Sequence, residues 1–168
     1  VHCVHRMVKG KWKLKLGKAD GGPGLTCGHS VPDKVMTSVD NDVHWDNPGF
    51  DVDREADAEL SDPNTVKGSD GEGRWTMVYD EGLDFTMGDT SYMAFFRYTP
   101  KFGAQSNPEK IEDFKWHCGE TLSGWYHPTG QAPQTGWGCF IAKQVDGESK
   151  DGKQYNTEAV PALTTEGD

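Results

Sequence analysis

The sequence lacks the features of a membrane-spanning or nucleic-acid-binding protein. None of its apolar runs approaches the roughly 18 residues that a membrane-spanning helix needs. Its 17 Lys and Arg are outnumbered by 27 Asp and Glu, and the net charge of -10 disfavours binding to nucleic acid and to anionic membranes. The N-terminus has no signal-peptide pattern and begins with Val1. We therefore expect a mature or excised piece of a longer protein, with neither nucleic acid nor membrane as partner.

The sequence also lacks a motif for metal binding or for phosphate binding. Serine-nucleophile motifs and phosphate-binding glycine loops are absent. The segment from Asp40 to Asp42 is similar to the start of a calcium loop, but Trp45 stands where the sharp turn requires glycine. Histidine and cysteine come close together at three places, without the paired spacing of a zinc site: His2 with Cys3 and His5, Cys27 with His29, and His117 with Cys118. We expect no metal and no cofactor.

The segment QTGWGCF at residues 134–140 loosely resembles the surroundings of the catalytic cysteine in papain-type proteases. In those enzymes the partner histidine lies roughly 130 residues further along the chain. Only 29 residues follow Cys139, and none of them is His. Because a thiol without a base is a poor nucleophile, we expect Cys139 to form a disulfide. An independent thiol hydrolase is the alternative, which a thiol titration would test.

The cysteines form an even set of four: Cys3, Cys27, Cys118 and Cys139. None of them lies in a CxxC pair, so two disulfides in an oxidising compartment are favoured over a metal site. The sequence alone leaves three pairings open.

Alternation of apolar and polar residues predicts an all-β fold. Residues 74–87 alternate on both sides of Asp80-Glu81-Gly82, which predicts an antiparallel hairpin with Gly82 at the positive φ of the turn. Further strands are predicted at residues 11–16, 34–39, 91–98, 121–127, 136–143 and 154–158. Eight strands can close into an antiparallel barrel filled by side chains, with a β-sandwich as the alternative. We expect the barrel interior to contain Trp12, Trp75, Phe85, Phe96, Trp125 and Trp137.

Residues 40–73 have a different composition from the rest of the chain. From Asp40 to Glu72 there are eleven acidic residues against only Arg54 and Lys67, with Pro48 and Pro63 interrupting the segment. Only residues 53–60 have a composition suited to a helix. We expect a long, mobile acidic loop inserted in a single domain, whose barrel comprises about residues 1–39 and 74–163.

Five short segments occur in the order found in one known domain. They are GKW at 10–12 after Cys3, WTMVYDEG at 75–82, YMAFFRY at 92–98, CGETLSGW at 118–125 and GWGCF at 136–140, with Asn156-Thr157 as a weaker addition. Together they resemble the exclusion domain of dipeptidyl peptidase I, also called cathepsin C, a papain-family cysteine exopeptidase. The acidic segment looks like an insertion relative to that pattern.

The resemblance implies an eight-stranded antiparallel barrel with the disulfides Cys3–Cys118 and Cys27–Cys139. It also implies a non-catalytic role, because in the family a papain-like catalytic chain of the same precursor supplies the reactive cysteine and histidine. The exclusion domain blocks the cleft beyond the second substrate residue, so the enzyme removes dipeptides from peptides with a free N-terminus. The family also leads us to consider an oligomer of the assembled enzyme.

By position, the blocking elements would be the N-terminal arm and a hairpin of about residues 98–116. The residues expected to face the cleft are Val1, His2, Tyr98, Lys101, Phe102, Phe114 and Trp116. In the family a terminal aspartate binds the substrate's ammonium group, a charge-assisted bond of about 1.5 to 3 kcal/mol. Val1 stands only two residues before Cys3, so we expect this anchor to lie upstream of Val1.

The cysteines and the resemblance together predict a protein of the secretory pathway, either secreted or held in a lysosome-like or vacuolar compartment. The alternative from a different functional class is a secreted β-barrel that binds a small apolar ligand. That alternative requires a hollow interior, whereas the predicted interior residues are large enough to fill it.

Overall fold

The computed structural model describes residues 3–27, 43–79, 81–100, 114–130 and 135–147. One short helix, α1, spans His5–Val8. The described strands, in chain order, are β1 Gly10–Leu16, β2 Arg54–Ser61, β3 Thr65–Gly68, β4 Gly71–Val78, β5 Gly82–Met87, β6 Thr90–Pro100, β7 Phe114–Thr121, β8 Gly124–Pro128 and β9 Gly138–Asp146. All of the strand pairings are antiparallel. The predicted all-β fold is confirmed.

Eight of the strands close into a barrel. Each strand from β1 to β6 pairs with the next, β6 then pairs with β8, β8 with β9, and β9 returns to β1. β7 lies outside this ring, where it pairs with the C-terminal half of β6 and meets β9 only at Glu120 and Lys143. Closure leaves the eight ring strands without a free sheet edge. The predicted eight-stranded barrel is therefore confirmed, with β7 as one additional strand.

Large side chains fill the barrel interior. Phe85 and Tyr92 stack with ring centroids 4.5 Å apart, and the Phe140 ring meets Tyr92 edge-on at 5.2 Å. Trp12, Trp75, Phe85 and Phe96 are all buried in the same core cluster, as predicted. Trp125 and Trp137 were wrongly assigned to the interior, since they belong to a second cluster with Cys27 and Cys139. Trp125 neighbours the inward-facing Tyr126, so alternation turns its side chain to the outside.

The acidic segment is not one long loop. Its residues 54–61 and 65–68 form β2 and β3, two strands of the barrel wall, so both the loop and the helical interpretation of 53–60 were wrong. The inner face of β2 consists of Ala56, Ala58 and Leu60, each buried. The acidic residues of β2 all point outward, and each lies opposite a lysine of β1. The pairs are Glu55 with Lys15, Asp57 with Lys13 and Glu59 with Lys11. The acidic charge therefore marks the solvent face of a strand.

Several predicted strand positions need correction or remain predictions. The candidates at 34–39 and 154–158 lie outside the described residues. The strand predicted at 121–127 is divided, because β7 ends at Thr121 and β8 begins at Gly124. The hairpin of residues 74–87 is confirmed as β4 and β5. Its positive φ falls on Tyr79, at 57°, rather than on Gly82.

Helix α1 covers one end of the barrel. Met7 and Val8 are buried there, and the carbonyl oxygen of Val8 accepts a hydrogen bond of 2.8 Å from Nε1 of Trp12. The buried amide of Gln144 donates to the carbonyl oxygens of Met7 and Lys9, both at 2.9 Å. These bonds satisfy carbonyl groups that a helix of one turn leaves without internal partners. Within the described ranges, no helix has the length and apolarity to cross a membrane.

Candidate functional site

The N-terminal arm, which we define as residues 3–9, is tied to the strand outside the barrel. Cys3 and Cys118 form a disulfide with Cα atoms 5.6 Å apart, and both residues are buried. Cys118 belongs to β7, so the bond joins the arm to the extra strand rather than to the ring. The covalent link therefore fixes the arm at the place where the chain leaves the barrel.

A second set of contacts holds the arm on the turn between β2 and β3. The His5 ring stacks on Trp75 with centroids 4.4 Å apart, and its Nε2 donates to the carbonyl oxygen of Pro63 at 3.1 Å. Nζ of Lys9 donates to the Asp62 carboxylate at 2.7 Å. That hydrogen bond and the adjacent positive charge lower the pKa of Asp62 below its ordinary value. The arm is thus fastened from two sides.

The hairpin of β6 and β7 begins where the strand register shifts. Phe96 lies opposite Thr121, but the next residue, Arg97, lies opposite His117. Residues 118–120 are therefore extra on the β7 side, and this irregularity turns β7 away from the ring. Arg97 and Glu120, one of these extra residues, form an ion pair of 3.3 Å across the irregularity. The irregularity marks the base of the hairpin.

Aromatic packing holds the base of the hairpin together. Tyr98 and Trp116 are direct partners across the two strands, with ring centroids 4.9 Å apart. Both are buried and belong to the main core cluster. Thr99 and His117, on the opposite face, share a hydrogen bond of 2.9 Å. The hairpin therefore continues the packed core of the barrel rather than extending from it as a loop.

The structure brings together part of the predicted site. Cys3, Cys118, Tyr98 and Trp116 lie within one region, and the main chain of Phe114 pairs with Pro100 at the outer end of the described hairpin. Val1, His2, Lys101 and Phe102 lie outside the described residues. Tyr98 and Trp116 are buried, so their described contacts are with each other and with the core.

Sequence reasoning missed two features near this region. One is the contact of Lys9 with Asp62, for which the acidic composition gave no positional signal. The other is Tyr79, which is 89% exposed at the turn between β4 and β5. The sequence did contain a signal for Tyr79, because tyrosine is unusual in a tight turn. The positive φ was nevertheless expected at Gly82, because glycine adopts that conformation most easily.

The second disulfide holds a different segment on the outside of the barrel. Cys27 and Cys139 are joined with Cα atoms 5.5 Å apart, and Trp125 packs against them. Nε1 of Trp125 donates to the carbonyl oxygen of Leu25 at 2.8 Å, and the Tyr126 hydroxyl donates to the carbonyl oxygen of Gly17. Both predicted disulfide pairings are confirmed. The sulfur of Cys139 is bonded, so the hypothesis of a free thiol nucleophile there is wrong.

The opposite end of the barrel carries a charged pair that acts electrostatically on two buried tyrosines. Arg54 and Asp70 form an ion pair of 3.0 Å. Burial, together with the negative charge of Asp70, raises the pKa of Tyr92 to about 12. Burial also raises the pKa of Tyr126. Both hydroxyls therefore lose their protons at a higher pH than an ordinary tyrosine does.

The described residues line at least two open hollows on the surface. One, of about 260 Å³, is lined on the outer barrel face by residues including Asp84, Trp125 and His127. The other, of about 370 Å³, lies by the Cys27–Cys139 segment and is lined by residues including Asp20, Phe50 and Asp53. In the part of the chain that the structure describes, no group of three or more His, Cys, Asp or Glu is arranged to hold a metal ion.

Comparison with known proteins agrees with this architecture. The family described as the cathepsin C exclusion domain matches residues 1–144. The chain is also similar to "Dipeptidyl aminopeptidase 1" of Plasmodium falciparum (isolate 3D7), at 24% identity over 179 aligned positions. That alignment covers 86% of this chain and 25% of the Plasmodium protein, so the chain spans about a quarter of its relative's length. The match over residues 1–144 includes all four cysteines and the barrel strands as far as Gln144 in β9, and the chain belongs to the cathepsin C exclusion domain family.

Proposed function

We propose that this domain blocks one end of the substrate cleft of a papain-like catalytic chain from the same precursor. The blocked cleft accepts two substrate residues before the obstruction, so the enzyme releases N-terminal dipeptides rather than cutting inside a peptide. The domain contributes shape and position, and the catalytic chain contributes the reactive cysteine and histidine. Family membership supports the association with a dipeptidyl peptidase.

The observation that carries the proposal is the disulfide between Cys3 and Cys118. It joins the arm to the one described strand that lies outside the ring. A cleft-blocking element must keep its position when a substrate presses against it, and a covalent bond at the base of the hairpin supplies that resistance. A disulfide needed only for bulk stability could have joined any two strands of the ring.

The buried pair Tyr98 and Trp116 supports the same role in an indirect way. Because both rings pack in the core, they act as positioning residues that hold the two strands of the hairpin in register. The residues that face the cleft would then lie at the far ends of the two elements. By resemblance these are Val1 and His2 on the arm, and Lys101, Phe102 and Phe114 on the hairpin.

The substrate and the compartment follow from this arrangement. A substrate that ends at the obstruction presents a free ammonium group, so peptides with an unblocked N-terminus are the proposed substrates, with their anchor upstream of Val1. The two disulfides and the family are consistent with the secretory pathway. A lysosome-like or vacuolar compartment is our more specific proposal. An oligomer of the assembled enzyme would be compatible with it.

A pair of peptides tests the proposal directly. The domain is purified together with its catalytic chain and assayed on one peptide with a free N-terminus and on the same peptide with an acetylated N-terminus. We expect the complex to release dipeptides from the free peptide and to leave the acetylated one intact. The catalytic chain alone should cut both peptides internally. The same internal cleavage with and without the domain would contradict the proposal.

The two disulfides provide matched variants for this assay. Replacing Cys3 and Cys118 by serine releases the arm from the hairpin, so internal cleavage should reappear in the complex. Replacing Cys27 and Cys139 by serine opens a loop of nearly equal length, with a sequence separation of 112 residues against 115, but leaves the arm attached. The second variant should therefore keep the exopeptidase pattern at temperatures where it is folded.

The filled interior argues against the alternative of a barrel that stores a small apolar ligand. Trp12, Tyr92, Phe96 and Phe140 are fully buried within it. A ligand the size of a metabolite would have to displace these rings, which protein cores resist strongly.

A further inference from the structure

Tyr79 combines two properties that rarely occur together. It is the most exposed large apolar side chain among the described residues, at 89%. It is also the one residue other than glycine with positive φ in the described ranges, at 57°. Residues with a Cβ atom are disfavoured in that conformation, and such strain persists mainly at functional positions. A glycine would form the same turn without strain and without an exposed ring.

The turn that carries Tyr79 is fixed to the base of the hairpin. The main-chain nitrogen of Glu81 donates to the carbonyl oxygen of Val78 at 3.3 Å, which closes the turn. The carbonyl oxygen of Glu81 in turn accepts a bond of 2.8 Å from the nitrogen of Phe96. Phe96 is the residue at which the register of β6 and β7 shifts. Tyr79 is thus held beside the point where the hairpin leaves the ring.

Two half-buried apolar residues extend the surface around Tyr79. Val78 and Phe95 lie on either side of Gly82 on the outer face of three adjacent strands. A Cβ atom at Gly82 would lie 3.4 Å from the Phe95 ring and 3.5 Å from Cβ of Val78, so the two side chains flank the space above this glycine. We call Val78, Tyr79 and Phe95 the turn patch. It lies beside the hairpin base, because the carbonyl oxygen of Phe95 accepts a bond from the nitrogen of Leu122, just after the end of β7.

We propose that the turn patch is a docking surface for the papain-like catalytic chain, with Tyr79 as its anchor residue. This inference rests on the proposed function, because it assigns a second contact beside the hairpin that enters the cleft. Exposed tyrosines are among the residues that contribute most to protein interfaces. With 89% of its surface exposed, the Tyr79 side chain is available to pack between side chains of a partner protein.

Because Tyr79 has a positive φ, substitutions there can distinguish a role in docking from a role in stability. Tyr79→Gly removes the ring and suits the backbone, so the domain should keep or gain thermal stability while association with the catalytic chain weakens about tenfold or more. Tyr79→Ala should weaken association similarly, with little change in thermal stability, because the ring is exposed. Opposite responses of stability and association are not expected for a residue with a purely structural role.

Val52→Ala is the matched control. Among the residues that the structure describes, Val52 is the other exposed large apolar residue, at 43%, and it lies at the far end of the barrel beside Asp53. Dissociation constants for the assembled pair, measured by titrating fluorescently labelled catalytic chain, should be unchanged in this variant. Tyr79 variants that bind like the wild type, while the wild-type domain still restricts cleavage, would overturn the inference and leave the proposed function intact.

Two other outcomes are also decisive. A wild-type domain that neither binds the catalytic chain nor alters its cleavage pattern would refute the proposed function, and the inference with it. Variants of Tyr79 that lose only self-association of the domain, measured by analytical ultracentrifugation, would assign the patch to a second copy of this chain and overturn the inference as stated.

Discussion

The outer faces of two walls of this barrel differ sharply. The charged wall, formed by β1, β2 and β3, carries Lys, Glu and Asp in facing rows, including Lys13 and Asp57 at 3.7 Å. The aromatic wall, formed by β5, β6 and β8, carries Met93, Phe95 and Trp125 on its outer face. Both walls have apolar inner faces, so the difference concerns only what each wall meets outside.

The difference shows that the residue composition of an outer face depends on whether water or another part of the protein covers it. Exposed ion pairs such as Lys13 with Asp57 contribute only about 0 to 1 kcal/mol each, so the charged wall is chiefly a surface compatible with water. The aromatic wall needs a cover. The segment held by Cys27 and Cys139 covers Trp125, which is only 4% exposed. At the other end of that wall, Tyr79 of the turn patch is 89% exposed, and the proposed cover there is the catalytic chain.

Removing the cover of the aromatic wall should produce the largest effect. Replacing Cys27 and Cys139 by serine opens a loop with a separation of 112 residues, and the chain-entropy model gives a loss of about 4 to 5 kcal/mol. Chemical unfolding measures this loss, and quenching of tryptophan fluorescence should show that Trp125 has become accessible. The Cys3 and Cys118 variant should lose a similar free energy without exposing Trp125. Equal quenching in both variants would contradict the separate role of the Cys27 segment.

A pair of substitutions in β2 separates the two faces of the charged wall. Leu60→Ala empties a buried position on the inner face, at 2% exposure, and should reduce the free energy of unfolding by about 2 to 5 kcal/mol. Glu59→Ala, its neighbour on the outer face, should change it by less than about 0.5 kcal/mol. Chemical denaturation of both variants provides the comparison. Equal small effects would mean that β2 is not part of the barrel wall.

Alkaline pH should destabilise the barrel through Tyr92. Tyr92 belongs to β6, and burial with the nearby charge of Asp70 raises its pKa to about 12 from an ordinary value of 10.0. Because the folded state holds this proton more tightly, its contribution is complete below pH 10 and is lost as the pH rises toward 12. Tyr92→Phe should show a shallower decline in stability over that interval. The same decline in variant and wild type would exclude Tyr92 as its source.

Acid should produce the smallest change, at the turn of the charged wall. The hydrogen bond from Lys9 lowers the pKa of Asp62 below the ordinary 3.8, so this carboxylate stabilises the fold above that pH and loses the effect as the pH falls. Asp62→Asn should be slightly less stable than the wild type near neutral pH and equal to it in strong acid. Thermal melts across the acid range measure the difference. A gap that persists in acid would point to a cause other than charge.

The apolar alternation in the sequence was sufficient to predict most of the ring. β1, β4, β5, β6 and β9 all follow from it, because each has one strongly apolar face. β2 and β3 were missed because net charge was weighed before periodicity. The signal was nevertheless present: Ala56, Ala58 and Leu60 alternate with Glu55, Asp57 and Glu59, and the lysines of β1 supply the complementary row.

Other features could not be predicted from residues alone. Trp125 and Tyr126 are both large and apolar, so alternation shows that they face opposite ways but not which of them faces inward. Residue preference assigned positive φ to Gly82, whereas the hydrogen-bonded register of the hairpin places it on Tyr79. The disulfide pairing came from family resemblance, since four cysteines without spatial information leave three pairings open.

β6 is a single strand of 11 residues that serves two partners in succession. Its first half pairs with β8 in the ring, and its second half pairs with β7 beyond it. The hairpin therefore projects from the barrel wall as a direct continuation of β6. Within β6, no hinge loop separates the hairpin from the wall. A force on the outer end of the hairpin reaches Tyr92 and Ala94 through continuous main chain. If the hairpin enters a substrate cleft as proposed, a bound peptide should therefore change amide hydrogen exchange along this strand.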